Sequence, residues 1–217
     1  MNNSKTKKLT TISMLCALAY AAVAIGRIPL VLFLKYDPKD IIIVIGGLIY
    51  GPLVSFAVTV IVSAVQMFTI SGTGILGCFM NIISSCSFAC TAAFLYKRKH
   101  RLSGAIMGLF CGWGCQVAVM MIWNYFIAPI YMGYSREAIV ELLLPAFLPF
   151  NLIKGGLNAA ITMLLYKPVV TTLRRSGFVE SGQGSDKMRI NVGVLLAALL
   201  MIITLVLWIL VFHKMRP

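Results

Sequence analysis

The chain predicts an all-α integral membrane protein, on three observations. Hydrophobic residues make up 60% of its 217 positions and charged residues only 12%, about half the charged share of a soluble domain. The charged residues collect in short clusters rather than spreading along the chain. Between the clusters lie apolar stretches, 9–26, 41–70, 75–96, 102–135, 142–166 and 190–212, each close to or above the ~20 residues a bilayer-spanning helix needs.

The formal net charge of +13 does not point to nucleic acid, because no basic stripe runs beside exposed aromatics. Anionic lipid and cytoplasmic partners account for it better. Residues 1–8 are basic but lead to no small-residue cleavage pattern, so the first apolar stretch is expected to stay as a helix. The six cysteines all lie inside apolar stretches, which argues against a disulfide framework. Cys86/Cys90 and Cys111/Cys115 share helix faces four residues apart; with no histidine or carboxylate near them in sequence, packing is the simpler role.

The order of elements follows from length and charge. Residues 41–70 would form a helix of about 45 Å, too long for a hydrocarbon core of about 30 Å. Gly51-Pro52 breaks the stretch into a short arm and a longer one. Lys5, Lys7 and Lys8 put the N-terminus inside, and the basic run 97–101 belongs inside too, so an even number of crossings separates them. Splitting at Gly51-Pro52 satisfies this with four. Two more crossings return Lys167, Arg174 and Arg175 to the cytoplasm, and Asp37, Asp40, Glu137 and Glu141 then fall on the outer side.

The expected organisation is a cytoplasmic N-terminus at 1–8, a six-helix membrane domain at 9–174, a polar linker at 175–189, and an appended transmembrane helix and tail at 190–217. The location implied is the cell membrane.

Within this frame a few residues break the apolar pattern. On the first helix Ser13, Ala17 and Ala21 recur every fourth position, a smooth face for close helix contact, either with a partner or inside the bundle. Residues 27–40 include Lys35, Tyr36, Asp37, Pro38, Lys39 and Asp40; the segment is too long for a tight turn and too apolar for a free loop, so it is expected to fold back as a lid. Asp40 has an alternative role as a helix cap. Gly72-Thr73-Gly74, with Gly77 and Asn81, reads as a flexible turn that lets backbone approach a ligand or a neighbouring helix.

Farther on, Trp123, Tyr125, Tyr131 and Tyr134 suit a membrane interface whatever the function. Asn124 among them needs partners, either a ligand edge or another helix.

In the sixth helix Asn151, Lys154, Asn158 and Thr162 fall within about 80° of one another at 100° per residue. Pro149 suits a first helical turn, which places Lys154 about 7–8 Å inside the outer end. A lone lysine there could snorkel to the headgroups. A lysine sharing its face with two asparagines reads instead as the wall of a solute cavity. No phosphate-binding G-x-x-x-x-G-K-[ST], no H-E-x-x-H and no G-x-S-x-G occurs, so the sequence offers no ATPase or hydrolytic centre.

Thr11-Ile12-Ser13-Met14-Leu15-Cys16-Ala17-Leu18-Ala19-Tyr20, Tyr36-Asp37 to Asp40, Tyr50-Gly51-Pro52, Asn124-Tyr125-Phe126 and Pro149-Phe150-Asn151-Leu152-Ile153-Lys154-Gly155 together resemble the riboflavin-specific substrate-binding (S) components of energy-coupling factor (ECF) vitamin transporters. The resemblance implies a subunit that is not an enzyme and carries no cofactor. It would capture riboflavin outside and deliver it inward with a transmembrane coupling protein and two ATPase subunits in other chains.

It further implies that Asn124, Asn151 and Lys154 hydrogen-bond the flavin, that residues 35–40 close over it, and that Ala17 and Ala21 face the coupling protein. Riboflavin suits an apolar slot with a few amide and ammonium donors. No buried carboxylate is expected to pair with a cationic vitamin. An S component for another vitamin is the nearest alternative; a multi-helix membrane enzyme or sensor is a more distant one.

Overall fold

The computed structural model describes residues 3–31, 34–98, 102–175, 199–200, 202–204, 206–207 and 210. In chain order the elements are helix α1 (Asn3–Gly26), strands β1 (Ile28–Val31) and β2 (Leu34–Tyr36), and helices α2 (Lys39–Tyr50), α3 (Pro52–Thr69), α4 (Gly74–Arg98), α5 (Leu102–Met132) and α6 (Arg136–Leu142). A π-helical turn (Leu143–Phe147) then leads into α7 (Leu148–Arg175). Among the described residues, five helical stretches are long and apolar enough to cross a bilayer.

The break at Gly51-Pro52 forms as the sequence predicts. Gly51 takes φ +96°, a conformation costly to any residue with a Cβ. Pro52 opens α3 at its first position, where a missing N–H costs nothing. The short arm α2 has 12 residues and reaches only about 18 Å, too little to span alone.

Two contacts fix which ends lie together. Arg27, just beyond α1, donates to the backbone oxygen of Ile70 at the end of α3. The Tyr96 and Tyr166 hydroxyls meet at 2.5 Å, bringing the C-terminal parts of α4 and α7 together. This is the alternation that the charge clusters predict.

The small β-hairpin departs from the all-α expectation. Ile28 pairs with Tyr36 and Pro29 with Lys35, antiparallel; an isolated two-stranded ribbon has free edges, where a proline is tolerated. The turn before α4 is also shorter than the glycines suggest. Gly74, at φ +58°, opens α4, and Gly77 and Asn81 lie inside that helix.

The path into α7 differs too. Pro145 sits in the π-helical turn; a proline cannot donate to the preceding turn and its ring crowds the carbonyl four residues back, which favours a local widening over a clean α-helix. Pro149 is in the first turn of α7, but the helical path already runs from Arg136. Lys154 is therefore not within two turns of the start of that path.

Packing relies on small residues. On α1 the buried stripe is Thr11, Leu15, Ala19 and Val23, spaced by four. A Cβ at Gly108 would lie 2.6 Å from the Ala92 backbone oxygen, and one at Gly112 would lie 2.5 Å from that of Phe88, so α4 and α5 approach backbone to backbone. Gly155 makes room for the Trp113 indole, whose Nε1 donates to the Leu152 oxygen at 3.1 Å.

In the C-terminal stretch Leu200 joins the main core and the Thr204 side chain fills the notch at Gly156. Its described residues are helical. The expected linker, from 176 onward, lies outside the described residues.

Candidate functional site

The re-entrant segment between α1 and α2 carries polar side chains into the bundle. Ser85 lies eleven residues beyond Gly74 on α4, about 16 Å along the helix. Its hydroxyl donates to Asp40 Oδ1 at 2.5 Å, so α2 begins at the depth of mid-α4. Irregular backbone at that depth is tolerated where protein surrounds it. Tyr36, Asp37, Lys39 and Asp40 are all buried.

One hydrogen-bonded cluster joins five elements. Lys154 Nζ on α7 lies 3.3 Å from Asp40 Oδ2 and donates to Ser84 Oγ on α4 at 3.1 Å. Asn158 Nδ2 donates to the same Asp40 Oδ2 at 3.2 Å, while its Oδ1 accepts from the Tyr36 hydroxyl at 2.7 Å. Gln116 on α5 donates through Nε2 to Ser84 Oγ at 3.3 Å. With Lys154 only 6% exposed and paired inside, snorkelling to headgroups is not its role.

A second cluster holds the re-entrant segment at its other end. Arg27 Nε pairs with Asp37 Oδ1 at 2.9 Å. Gln66 on α3 donates to Asp37 Oδ2 at 3.2 Å and accepts from Lys39 Nζ at 2.6 Å. Burial alone would push the Asp37 carboxyl up; Lys39, Lys154 and Arg27 outweigh it and hold the group below its ordinary range.

A carboxyl lowered in the folded state stabilises the fold above its unfolded pKa and loses that contribution as pH falls through its folded value. Asp37→Asn should therefore cost stability at neutral pH and lessen the fall in melting temperature below about pH 4. Thermal melts of both proteins from pH 3 to 7 check this; parallel curves would exclude it.

Several buried polar atoms on α5 and α7 have no protein partner among the described residues, among them Asn151 Oδ1, Gln116 Oε1 and Trp123 Nε1. An unmet acceptor or donor in such a setting costs roughly 1–3 kcal/mol, so each is a natural point for a ligand to satisfy. Asn151 uses its Nδ2 on its own helix, donating to the Phe147 oxygen at 2.8 Å. Asn124 shares the buried four-residue stripe of α5 with Gln116, and Asn81 shares the buried face of α4 with Ser84 and Ser85. Both amides are buried.

Most of the expected site residues thus face the interior: Asn81, Asn124, Asn151 and Lys154 from three helices, and Tyr36 and Asp37 from the re-entrant segment. Lys35 does not; it is exposed on β2. The expectation of no buried carboxylate is overturned, since Asp37 and Asp40 are 4% and 0% exposed. Capping is not the task of Asp40 either, as α2 has no side-chain cap. Ser13, Ala17 and Ala21 point out of the bundle, which removes internal packing as their use.

Sequence reasoning missed Asp40 as a counter-ion, along with Ser84, Ser85, Gln66 and Gln116. One signal was available: Gln66 and Gln116 are the only glutamines in the apolar stretches, and an amide in a membrane helix needs a partner.

Known proteins supply the comparison. The family model described as "ECF transporter, substrate-specific component" matches residues 7–166. The riboflavin transporter FmnP of Bacillus subtilis (strain 168) is 32% identical over 174 residues, covering 75% of this chain and 91% of that protein. The riboflavin transporter RibU of Staphylococcus aureus (strain TCH60) is 28% identical over 184 residues, covering 81% and 96%. A solved structure described as "Structure and mechanism of the S component of a bacterial ECF transporter" superposes with a TM-score of 0.68 at 28% identity, covering 79% of this chain and 99% of that one.

Proposed function

Because the chain belongs to the substrate-specific components of ECF transporters, we propose that it is the riboflavin-binding membrane subunit of such a transporter. It takes the vitamin from outside and delivers it inward together with a transmembrane coupling protein and two ATPases in other chains. The observation that carries the ligand assignment is the set of buried, unspent hydrogen-bonding groups on α5 and α7. Asn151 Oδ1 and Gln116 Oε1 want donors and Trp123 Nε1 wants an acceptor.

A flavin matches that inventory. Its fused ring fills an apolar slot, and its uracil-like edge offers an N–H between two carbonyls for amides and an ammonium to read. The two transporters compared above, both named for riboflavin, support the same cargo. The buried carboxylates do not favour a cationic vitamin, because Arg27, Lys39 and Lys154 outnumber Asp37 and Asp40 in the two clusters. The protein sits in the cell membrane with its N-terminus in the cytoplasm, as the basic clusters require. The outward face of Ser13, Ala17 and Ala21 is the contact for the coupling protein.

The test is the absorption spectrum of the detergent-purified protein, with a thermal melt before and after adding riboflavin. Flavin absorbance in the purified protein, or a rise in melting temperature with added riboflavin, is expected. Colourless protein that riboflavin does not stabilise sinks the assignment, and identification of a different heat-released vitamin would replace it.

A further inference from the structure

We propose that Asp40 is the positioning residue of this site: its carboxylate holds the Lys154 ammonium at the depth where the ligand edge is read, and ties that ammonium to the re-entrant segment. The inference rests on the flavin reading of the site. Asp40 is fully buried, and its carboxylate meets side chains from two other helices. Oδ1 accepts from Ser85 on α4; Oδ2 accepts from Asn158 on α7 and faces Lys154. With one oxygen fastened to α4 and the other shared by two groups on α7, the carboxylate sets the distance between those helices at the level of the lysine.

The geometry also makes Asp40 a relay. The Tyr36 hydroxyl at the end of the hairpin donates to Asn158 Oδ1, and the same amide donates to Asp40. Tyr36 lies four residues before Asp40 in the chain, so the re-entrant segment grips α7 twice, through the tyrosine and through the carboxylate. A lysine chain is long and flexible, and an ammonium can satisfy three acceptors. Here two of them, Ser84 Oγ and Asp40 Oδ2, are supplied by protein, leaving one N–H for a ligand carbonyl. Without Asp40 that direction is no longer fixed.

A purely structural aspartate and a positioning one differ in a double-mutant cycle, because positioning acts through Lys154 and structure does not. Riboflavin is titrated by quenching of its fluorescence against the detergent-solubilised full chain, for wild type, Asp40→Asn, Lys154→Met and the double variant. Asp40→Asn keeps the size and most of the hydrogen bonds while removing the charge. It is expected to weaken binding about 10- to 100-fold, in the range of a lost charge-assisted hydrogen bond. The double variant should bind no more weakly than Lys154→Met alone.

Ser85→Ala forms a second cycle with Lys154→Met that leaves the charge in place. Freeing Oδ1 should weaken binding by a smaller factor, again only while Lys154 is present, so the proposal stays testable where Asp40→Asn does not fold. Fold-losses that multiply with that of Lys154→Met, or single variants within twofold of wild type, overturn the role of Asp40. Absence of riboflavin binding by the wild type instead overturns the flavin reading itself.

Discussion

Lys154→Met is expected to lower both the stability of the protein and its affinity for riboflavin. The stability loss comes from Asp40: with the ammonium gone, a fully buried carboxylate keeps only Ser85 and Asn158 as partners. Breaking a buried ion pair from one side costs about 3–5 kcal/mol, because the remaining charge stays out of water uncompensated. The affinity loss is separate and smaller, about 1–3 kcal/mol for the ligand group left unpaired.

The two parts can be told apart. Adding Asp40→Asn to Lys154→Met removes the stranded charge, so the melting temperature should recover most of its loss while riboflavin affinity does not. A single variant that melts with wild type, or a double variant that melts lower still, would show that the pair is not what holds this interior together.

The same pair shows where sequence reading succeeds and where it stops. That Lys154 and Asn151 face inward was legible, because a helix has one period and a charge in an apolar helix must find shelter. The break at Gly51-Pro52 was legible from helix length and charge parity alone. That Asp40 meets Lys154 was not. Local sequence places the aspartate among Lys39, Asp37 and a proline, where capping or solvent exposure is the ordinary expectation, and nothing in it measures depth. Depth is set by the short α2, which starts about 16 Å down the bundle beside Ser85, and that is a consequence of how the hairpin folds back.

Small residues were only partly readable for a similar reason. Ser13, Ala17 and Ala21 announce a smooth face, but whether such a face turns in or out depends on what the opposite side of the helix offers. On α1 the opposite side carries Thr11, Leu15, Ala19 and Val23, whose larger members claim the core. Burial of Leu and Val beside Ala leaves the smoother stripe outside, available to a partner whose backbone approaches closely.

Where small residues do face inward, enlarging one should be severe, and Gly112→Val is the sharpest case. The added Cβ would lie 2.5 Å from the Phe88 backbone oxygen and 3.3 Å from the Phe88 ring. A side-chain neighbour could rotate away; a helical carbonyl cannot move without shifting α4 as a whole. Overpacking typically costs about 1–3 kcal/mol, occasionally more, and the obstruction by backbone puts this substitution at the upper end.

The consequence reaches the site, because α4 carries Ser84 and Ser85 and α5 carries Gln116 and Asn124. Forcing the two helices apart stretches the Gln116–Ser84 hydrogen bond, already 3.3 Å, and loosens the seat of Lys154. Gly112→Val is therefore expected to lower the melting temperature in detergent and to weaken riboflavin binding together, although residue 112 is three helical turns from Asn124 on the same stripe. Gly114→Val is the control: a Cβ there meets nothing within 4 Å, so its melting temperature and affinity should stay near wild type. Equal behaviour of the two variants would mean that backbone contact between α4 and α5 does not govern the geometry of the site.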